Sequence, residues 1–214
     1  YDLDPEKEAT ASAAGDLVEI NGTKYTTSTS QAIRKWAGTA LPSVYGSFGS
    51  NLRWKDLSLS MLMTYSLGGK TMDGSYRSLM STGSASSAAA LHKDVLNSWN
   101  GAPDGMTATS PNRIDPNGTP ILDFNGSNDN NAVSDRWLTS SSYFIMKNIM
   151  LTYRLPKALV TKWGLGGISV KAGVENLFTL TSRKGLNPQY SFNGDSDDTY
   201  VSARVFNFGL TVDL

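Results

Sequence analysis

The feature that most constrains this chain is a strict alternation of apolar and polar residues over long runs. In residues 57–67, LSLSMLMTYSL, every odd-numbered position is apolar or aromatic, and the even-numbered positions are mostly Ser or Thr. A period of two residues indicates a β-strand with one apolar face. Runs of about ten residues are long for a soluble strand and match a tilted strand that crosses a bilayer. The apolar face therefore has two candidate surroundings, a protein core or lipid.

Four further runs predict strands of the same kind. They cover residues 44–54, 143–153, 168–175 and 206–214. The alternation is imperfect in 143–153, where Lys147 interrupts the apolar parity. Five such runs, separated by turns and loops, predict an all-β fold of antiparallel strands.

The connectors between these strands alternate between short and long. A turn at Lys55-Asp56 is followed by links of about 75, about a dozen and about twenty residues, as in barrels with tight turns on one side and long loops on the other. The link of about a dozen residues predicts a short helix over 157–163, which begins after Pro156 and ends at Gly164. We therefore predict a segment of about five antiparallel strands from a large transmembrane β-barrel, with short periplasmic turns.

This interpretation divides the chain into loops and barrel wall. Residues 44–214 hold the strands, with a long extracellular loop at 68–141 and a shorter one at 180–200. Residues 1–43 are expected to be an extracellular segment in which the chain starts within a loop, with a hairpin at Asn21-Gly22. A helix is expected at 86–99. Bacterial barrels have even strand numbers from about eight upward, so five strands predict that others lie upstream.

On the barrel interpretation, one set of side chains faces lipid or forms the aromatic girdles at the two membrane interfaces. The members of this set are Trp54, Leu59, Met61, Met63, Tyr65, Tyr143, Tyr153, Val170, Phe208 and Leu210. A soluble sheet gives the same alternation. The alternative is a secreted soluble carbohydrate-binding β-sandwich that uses Trp99, Trp137 and Tyr190 as a binding platform. The pattern by itself leaves both interpretations open.

Composition narrows the possible partners and chemistry. The 19 basic and 19 acidic residues cancel, so no electrostatic footprint for nucleic acid is present. The chain contains no Cys and a single histidine, His92, so neither thiolate zinc sites nor a catalytic triad is predicted. We find no paired carboxylates for acid–base catalysis, and we expect that the chain is not an enzyme.

No cofactor is expected, although two polar segments hold clustered oxygen ligands of the kind that Ca²⁺ prefers. Neither segment has the spacing of an EF-hand loop, and Asn- and Asp-rich turns explain both equally well. The weak calcium candidates are Asp123, Asn125, Asp129, Asp195 and Asp197.

Four motifs in order give the chain a resemblance to a known family. They are the segments 38–70, 134–159, 170–189 and 203–214, which contain LPSVYGSFGS, SDRWLTSSSYFIMKNIMLTYRLP, ENLFTLTSRKGLNPQ and FNFGLTVDL. Together they resemble the C-terminal part of SusC/RagA-type TonB-dependent outer-membrane transporters. The chain departs from the family pattern at three places. Ile145 stands where Arg is frequent, Asn187-Pro188-Gln189 replaces Asp-Pro-Glu, and Leu214 replaces a terminal Phe.

The resemblance implies partners that the sequence itself does not display. It implies a barrel of roughly 22 strands around a plug domain, both mostly encoded upstream, and energy delivered through TonB. It also implies a SusD-like surface lipoprotein that caps the outer loops, import of oligosaccharides or oligopeptides, and an outer-membrane location. Candidates for contact with the substrate or the lipoprotein are Trp99, Arg113, Trp137 and Tyr190.

Overall fold

The computed structural model describes residues 1–80, 90–97, 131–190, 193–196 and 202–214. The chain divides into two compact units. The first contains residues 1–37 and 74–137, and the second contains residues 38–73 and 138–214. No helix in the described part is long and apolar enough to cross a membrane.

The first unit contains short elements. Helix α1 spans Glu8–Ala14, strands β1 and β2 span Leu17–Ile20 and Thr23–Thr26, and helix α2 spans Gly74–Leu79. Strands β1 and β2 form an antiparallel hairpin. Its turn residues Asn21 and Gly22 have φ angles of 51° and 78°, and a two-residue type I′ hairpin turn requires positive values at both positions. The hairpin predicted at Asn21-Gly22 is therefore confirmed.

The second unit contains the five predicted strands in one antiparallel sheet. They are β3 (Val44–Trp54), β4 (Leu57–Leu67), β7 (Tyr143–Arg154), β8 (Gly167–Thr181) and β9 (Val205–Asp213). Their order in the sheet is β3-β4-β7-β8-β9. Each strand thus pairs with the next long strand along the chain, which confirms the predicted five-stranded architecture. Strand β8 continues six residues beyond the predicted end at Glu175.

The short connectors have the predicted chemistry. Lys55 has a φ angle of 53° in the turn between β3 and β4. Between β7 and β8, helix α3 (Lys157–Val160) continues into a 3₁₀ turn, Thr161–Trp163. Gly164 ends that turn with a φ angle of 72°, a left-handed conformation in which glycine lacks the steric cost of other residues.

The predicted loop 68–141 contains additional structure close to the sheet. Strands β5 (Lys70–Met72) and β6 (Leu138–Ser140) form a short antiparallel pair. The prediction of an α-helix over 86–99 is wrong for the residues of that range that the structure describes. Residues 90–92 are not helical and Lys93–Asn97 is a 3₁₀ helix, while the rest of the prediction lies outside the described residues.

The sandwich alternative requires a second sheet packed about 10 Å from the first. Besides the five-stranded sheet, the described residues of this unit contain only the β5–β6 pair. Each strand of that pair has three residues, which is too short to cover eleven-residue strands. The sandwich is therefore not supported.

Candidate functional site on the polar face of the sheet

A bulge in β7 determines which side chains share a face. Leu62 of β4 lies opposite Asn148, but the next residue, Met63, lies opposite Met146. Lys147 is thus an extra residue in β7 relative to β4. Because successive side chains of a strand point to opposite faces, one extra residue exchanges the two faces of β7 between its halves.

A second irregularity compensates the first in β8. Asn148 lies opposite Glu175, and Met146 lies opposite Phe178, so β8 has one residue more than β7 over this interval. Asn176, in the interval, has a φ angle of 50°. Relative to β4, β8 carries two extra residues, so its alternation continues unbroken. Only β7 changes face.

This face change corrects the expectation for Tyr143. Tyr143 lies opposite Ser66 of β4, which belongs to the polar set, and Phe144 lies opposite Tyr65, which belongs to the apolar set. The prediction that Tyr143 shares a face with Tyr153 is therefore wrong. Counting alternate positions through Lys147 assigned residues 143–146 to the wrong face.

The other nine predicted lipid-facing or girdle residues share one face of the sheet, which we call the outer face. Trp54, Leu57, Tyr153, Val170 and Leu210 follow one another across it in register. Its aromatic residues Phe48, Tyr65, Phe144 and Phe178 form a row with ring centroids 6.1–6.5 Å apart. Large apolar side chains on this face are exposed: Phe208 by 82%, Trp54 by 69% and Leu210 by 68%.

The opposite face, which we call the inner face, contains the buried side chains of the sheet. Ile145 is completely buried and Ser66 is 5% exposed. Leu186 and Asn187, in the segment after β8, are 5% and 3% exposed. Pro188 of the same segment lines a small cleft of about 30 Å³ with Tyr45 and Tyr143 of the inner face. Residues 182–190 therefore fold over the inner face.

A contact at the bulge holds this segment in place. The Lys147 ammonium donates to Gln189 Oε1 at 2.5 Å. Gln189 Nε2 donates to Asn187 Oδ1 at 3.0 Å, so Gln189 is oriented from both sides. The bulge thus has a visible consequence, because it directs Lys147 toward the folded-over segment.

Further contacts attach Arg183, at the start of this segment, and residues 193–196, which follow it. Arg183 Nη1 lies 3.0 Å from Asp73 Oδ2, and the Asp73 side chain is only 7% exposed. The Met72 amide donates to the Gly194 carbonyl at 2.8 Å, and the Ser196 amide donates to the Met72 carbonyl at 3.0 Å. Residues 193–196 therefore continue the small β5–β6 sheet as a third strand-like edge.

The inner face carries further charged and polar groups along β7, β8 and β9. Glu175 Oε1 accepts a hydrogen bond from Asn207 Nδ2 at 2.9 Å. Arg154 and Asp213 lie 4.0 Å apart, and both side chains are more than half exposed. Lys171 lies opposite Thr152 and Gly209 and is exposed. This arrangement suits a hydrated wall that contacts polar groups.

Trp137, predicted as a substrate or lipoprotein contact, is instead part of the interior of the first unit. Its side chain is 2% exposed, and its Nε1 donates to the Ala132 carbonyl at 3.0 Å. The Tyr76 ring packs edge-on at 6.0 Å, and the Arg136 guanidinium lies 4.7 Å from the indole centroid. Burial lowers the pKa of Arg136 from its ordinary value. Trp137 is therefore a packing residue, and the sequence could not distinguish it from an exposed loop aromatic.

The remaining candidates are only partly described. Trp99, Arg113, Asp123, Asn125, Asp129 and Asp197 lie outside the described residues, and of Tyr190 only the backbone is described, at the end of the 3₁₀ helix Pro188–Tyr190. Asp195 is described, and its Oδ1 is buried without a hydrogen-bond partner. Within the described ranges no three His, Cys, Asp or Glu side chains are grouped closely enough to hold a metal ion. Calcium binding therefore stays a prediction.

Several residues of the inner-face site were not predicted as site residues. Lys147, Gln189, Asp73 and Arg183 come from three separate parts of the sequence, and only folding brings them together. Two signals pointed to them. Lys147 breaks an otherwise regular alternation, and Gln189 lies in a segment that departs from the family pattern.

With this geometry established, known proteins can be compared with the chain. No family model matches it. It is 25% identical over 194 residues to TonB-dependent receptor P3 of Formosa agariphila, a match that covers 86% of this chain and 17% of the receptor. TonB-dependent receptor P39 of the same organism is 21% identical over 168 residues, with 74% of this chain and 14% of the receptor covered. The chain therefore spans less than a fifth of these relatives.

Solved structures show the same fold. The RagAB peptide importer in its closed-closed state matches 92% of this chain with a TM-score of 0.64 and 24% identity, over 20% of the importer chain. A structure of the RagAB peptide transporter matches 90% of this chain with a TM-score of 0.67 and 21% identity, again over 20% of its chain.

The long antiparallel strands, the exposed apolar face and the covered polar face define a segment of an outer-membrane type of β-barrel wall. The sequence and structure matches identify its type more closely. The chain is similar in sequence to TonB-dependent receptors and has the fold of the RagAB importer structures, in agreement with the expected resemblance to SusC/RagA-type TonB-dependent transporters.

Proposed function

We propose that this chain is the C-terminal barrel portion of a transporter that imports oligosaccharides or oligopeptides across the outer membrane together with a SusD-like lipoprotein. In this role the chain forms part of the barrel wall and has no catalytic activity. One observation carries the proposal: the sheet exposes its apolar face, while its most buried large side chain, Ile145, lies on the polar face. Soluble proteins rarely expose an apolar surface of this extent, whereas a barrel in lipid requires it.

The outer face also has the dimensions of a membrane belt. Trp54 and Tyr153 lie near one end of the sheet, and Tyr65 and Phe144 lie near the other. From Leu57 to Tyr65 the strand rises about 26 Å at ~3.3 Å per residue. At a tilt of ~40° this is about 20 Å along the membrane normal, close to the apolar band of such barrels.

The edges of the sheet support an incomplete barrel. Among the described residues, β3 and β9 each pair on one side only, with β4 and β8 respectively. Unpaired backbone groups in lipid cost several kcal/mol each, so membrane sheets close on themselves. We propose that further strands of the longer polypeptide pair with both edges and that its plug domain fills the lumen.

The substrate class and the partners follow from the relatives. The RagAB structures are named as a peptide importer, and the curated relatives are named as TonB-dependent receptors. By this analogy the inner face lines the lumen, the long loops contribute to the external vestibule, and a SusD-like lipoprotein covers it. Energy reaches the transporter through TonB.

A matched pair of substitutions tests the membrane placement. Met61 lies on the outer face and Ser60 on the inner face, at adjacent positions near the middle of β4. In the complete transporter, Met61→Lys is expected to destabilise the barrel by about 2–4 kcal/mol, the cost of a cation at the bilayer midplane. Ser60→Lys is expected to leave assembly nearly unchanged.

The measurement is the fraction of heat-modifiable, folded barrel in outer-membrane preparations. Equal tolerance of both lysines would contradict a lipid-facing outer face. Transport is tested separately, by uptake of labelled oligopeptides and oligosaccharides into cells with and without TonB. The proposal predicts TonB-dependent uptake of one of the two classes, and uptake of neither would overturn it.

A further inference from the structure

We propose that the ammonium group of Lys147, held at the inner face by Gln189, binds a carboxylate group of the transported molecule. This inference rests on the proposed transport function and names the chemistry of one contact within it. It is carried by three features of the described residues: the direction of the Lys147 side chain, its uncompensated charge, and a small cleft under the segment that Lys147 contacts.

The bulge determines where Lys147 points. Its ammonium reaches Gln189 Oε1 at 2.5 Å, and Gln189 belongs to the segment that folds over the inner face. The side chain is only partly exposed. Lys147 thus presents a partly desolvated cation on the proposed lumenal wall. In a regular strand, alternation would have directed this side chain to the opposite face.

The charge of Lys147 is not neutralised by the described residues. The oxygen that it contacts belongs to a neutral amide, and no described carboxylate lies within 4.0 Å of its ammonium. Three carboxylates of the same unit have other partners, since Glu175 bonds to Asn207, Asp73 to Arg183 and Asp213 to Arg154. An ammonium group has three donors, of which Gln189 accepts one. A desolvated cation is stabilised strongly by a carboxylate that completes the remaining bonds.

A small cleft under the same folded-over segment offers a second contact for the same ligand. It is about 30 Å³ in volume, and Pro188, the neighbour of Gln189, lines it together with Tyr45, Tyr143 and Ser66. A volume of this size accommodates a group about as large as a methyl or a hydroxyl. A cation and a small cleft of tyrosine, proline and serine groups under the same segment therefore favour a ligand that carries both a carboxylate and a compact group.

Two kinds of substrate carry such a carboxylate, namely oligopeptides and acidic oligosaccharides. The probes are therefore used in matched pairs: a labelled heptapeptide with a free C-terminus and its C-terminal amide, and trigalacturonic acid and its methyl ester. Binding of each is measured to the purified complete transporter in detergent. We expect the acid of at least one pair to bind about tenfold more tightly than its neutral partner, the scale of a charge-assisted hydrogen bond.

Three variants separate binding from folding. Lys147→Met is expected to reduce the acid-to-neutral affinity ratio to about one. Gln189→Glu keeps the hydrogen-bond acceptor for Lys147 and loses only the donor to Asn187 Oδ1, while its carboxylate neutralises the ammonium and is expected to remove the same preference. A merely structural role predicts no loss with Gln189→Glu. The control Lys171→Met, on the same face and exposed, is expected to retain the full ratio.

The outcomes distinguish this inference from the proposed function. If the wild type binds the neutral and the acidic forms equally, or if Lys147→Met retains the preference, Lys147 does not bind substrate carboxylates, and the transport proposal is unaffected. Equal binding is also the result expected if an acidic residue elsewhere in the longer polypeptide already pairs with Lys147. If the wild type neither binds nor imports any of the probes, both proposals fail together.

Discussion

Met63 of β4 lies opposite Met146 of β7, whereas the preceding residue, Leu62, lies opposite Asn148. This one-residue step at Lys147 turns residues 143–146 over relative to the rest of β7. As a result Phe144 joins the outer aromatic row, Tyr143 lines a cleft with Pro188, and Ile145 is completely buried on the inner face.

The face change is directly measurable with spin labels. The sequence contains no Cys, so Phe144→Cys and Tyr143→Cys each add a single site to this part of the protein. A label at 144 is expected to be accessible to oxygen, which concentrates in lipid, whereas a label at 143 is expected to be shielded from it. Leu151→Cys and Thr152→Cys calibrate the outer and inner faces in the unbroken part of β7. Oxygen accessibility at 143 equal to that at 151 would contradict the bulge.

Ile145 tests how closely the segment 182–190 covers the inner face. Because Ile145 is completely buried, Ile145→Arg introduces a charge without a described carboxylate partner and is expected to cost several kcal/mol. Ile145→Val removes one methyl group and is expected to cost about 0.5–1.5 kcal/mol.

The measurement for Ile145 is the rate of limited proteolysis within 182–190 in the membrane-inserted protein. We expect rapid cleavage with Arg and nearly wild-type protection with Val. Unchanged protection in Ile145→Arg would show that the segment does not cover this side chain.

Two glycines separate backbone strain from crowding. Gly69 and Gly164 have similar positive φ angles, 79° and 72°. A Cβ atom at Gly69 would lie 2.5 Å from Ser141 Oγ and 2.8 Å from the Ala40 carbonyl oxygen, whereas at Gly164 it would meet nothing within 4 Å.

Gly164→Ala is therefore expected to cost about 1 kcal/mol, from conformation alone, and Gly69→Ala appreciably more. Thermal unfolding of the purified barrel, followed by loss of heat-modifiability, measures the difference. Equal effects of the two substitutions would mean that the backbone around Gly69 is less closely packed than the distances indicate.

Two tryptophans of the first unit provide another matched pair. Trp137 is 2% exposed and Trp36 is 98% exposed. Trp137→Ala removes the packing against Tyr76 and is expected to destabilise this unit by about 3–5 kcal/mol, whereas Trp36→Ala is expected to leave its stability unchanged. Hydrogen exchange of the α2 amides reports the loss. If exchange in α2 is unaffected by Trp137→Ala, the indole does not stabilise the unit.

Much of the fold could be predicted because the signals are local. The alternation in 57–67 defines a strand by itself, since side chains of an extended chain point to opposite faces whatever surrounds them. Asn21-Gly22 and Gly164 likewise mark turns through the φ angles that only certain residues adopt at low cost. These elements were found where the sequence placed them.

The candidate site was less predictable because it depends on groups that are distant in sequence. Trp137 and Trp36 have the same local character, yet one is buried and the other exposed. Tyr143 lines a cleft with Pro188, a residue of a much later segment, and no local pattern contains this contact. The break in alternation at Lys147 was visible, but its effect on Tyr143 was not.

The sequence by itself determined that this chain forms long strands with one apolar face, since periodicity and turn residues act over a few neighbouring positions. The tertiary structure alone decided which face each residue of β7 occupies and what covers Ile145. The physical reason is that register is set by hydrogen bonding to β4 and β8, and an extra residue is accommodated as a bulge only where both neighbours remain paired on either side of it.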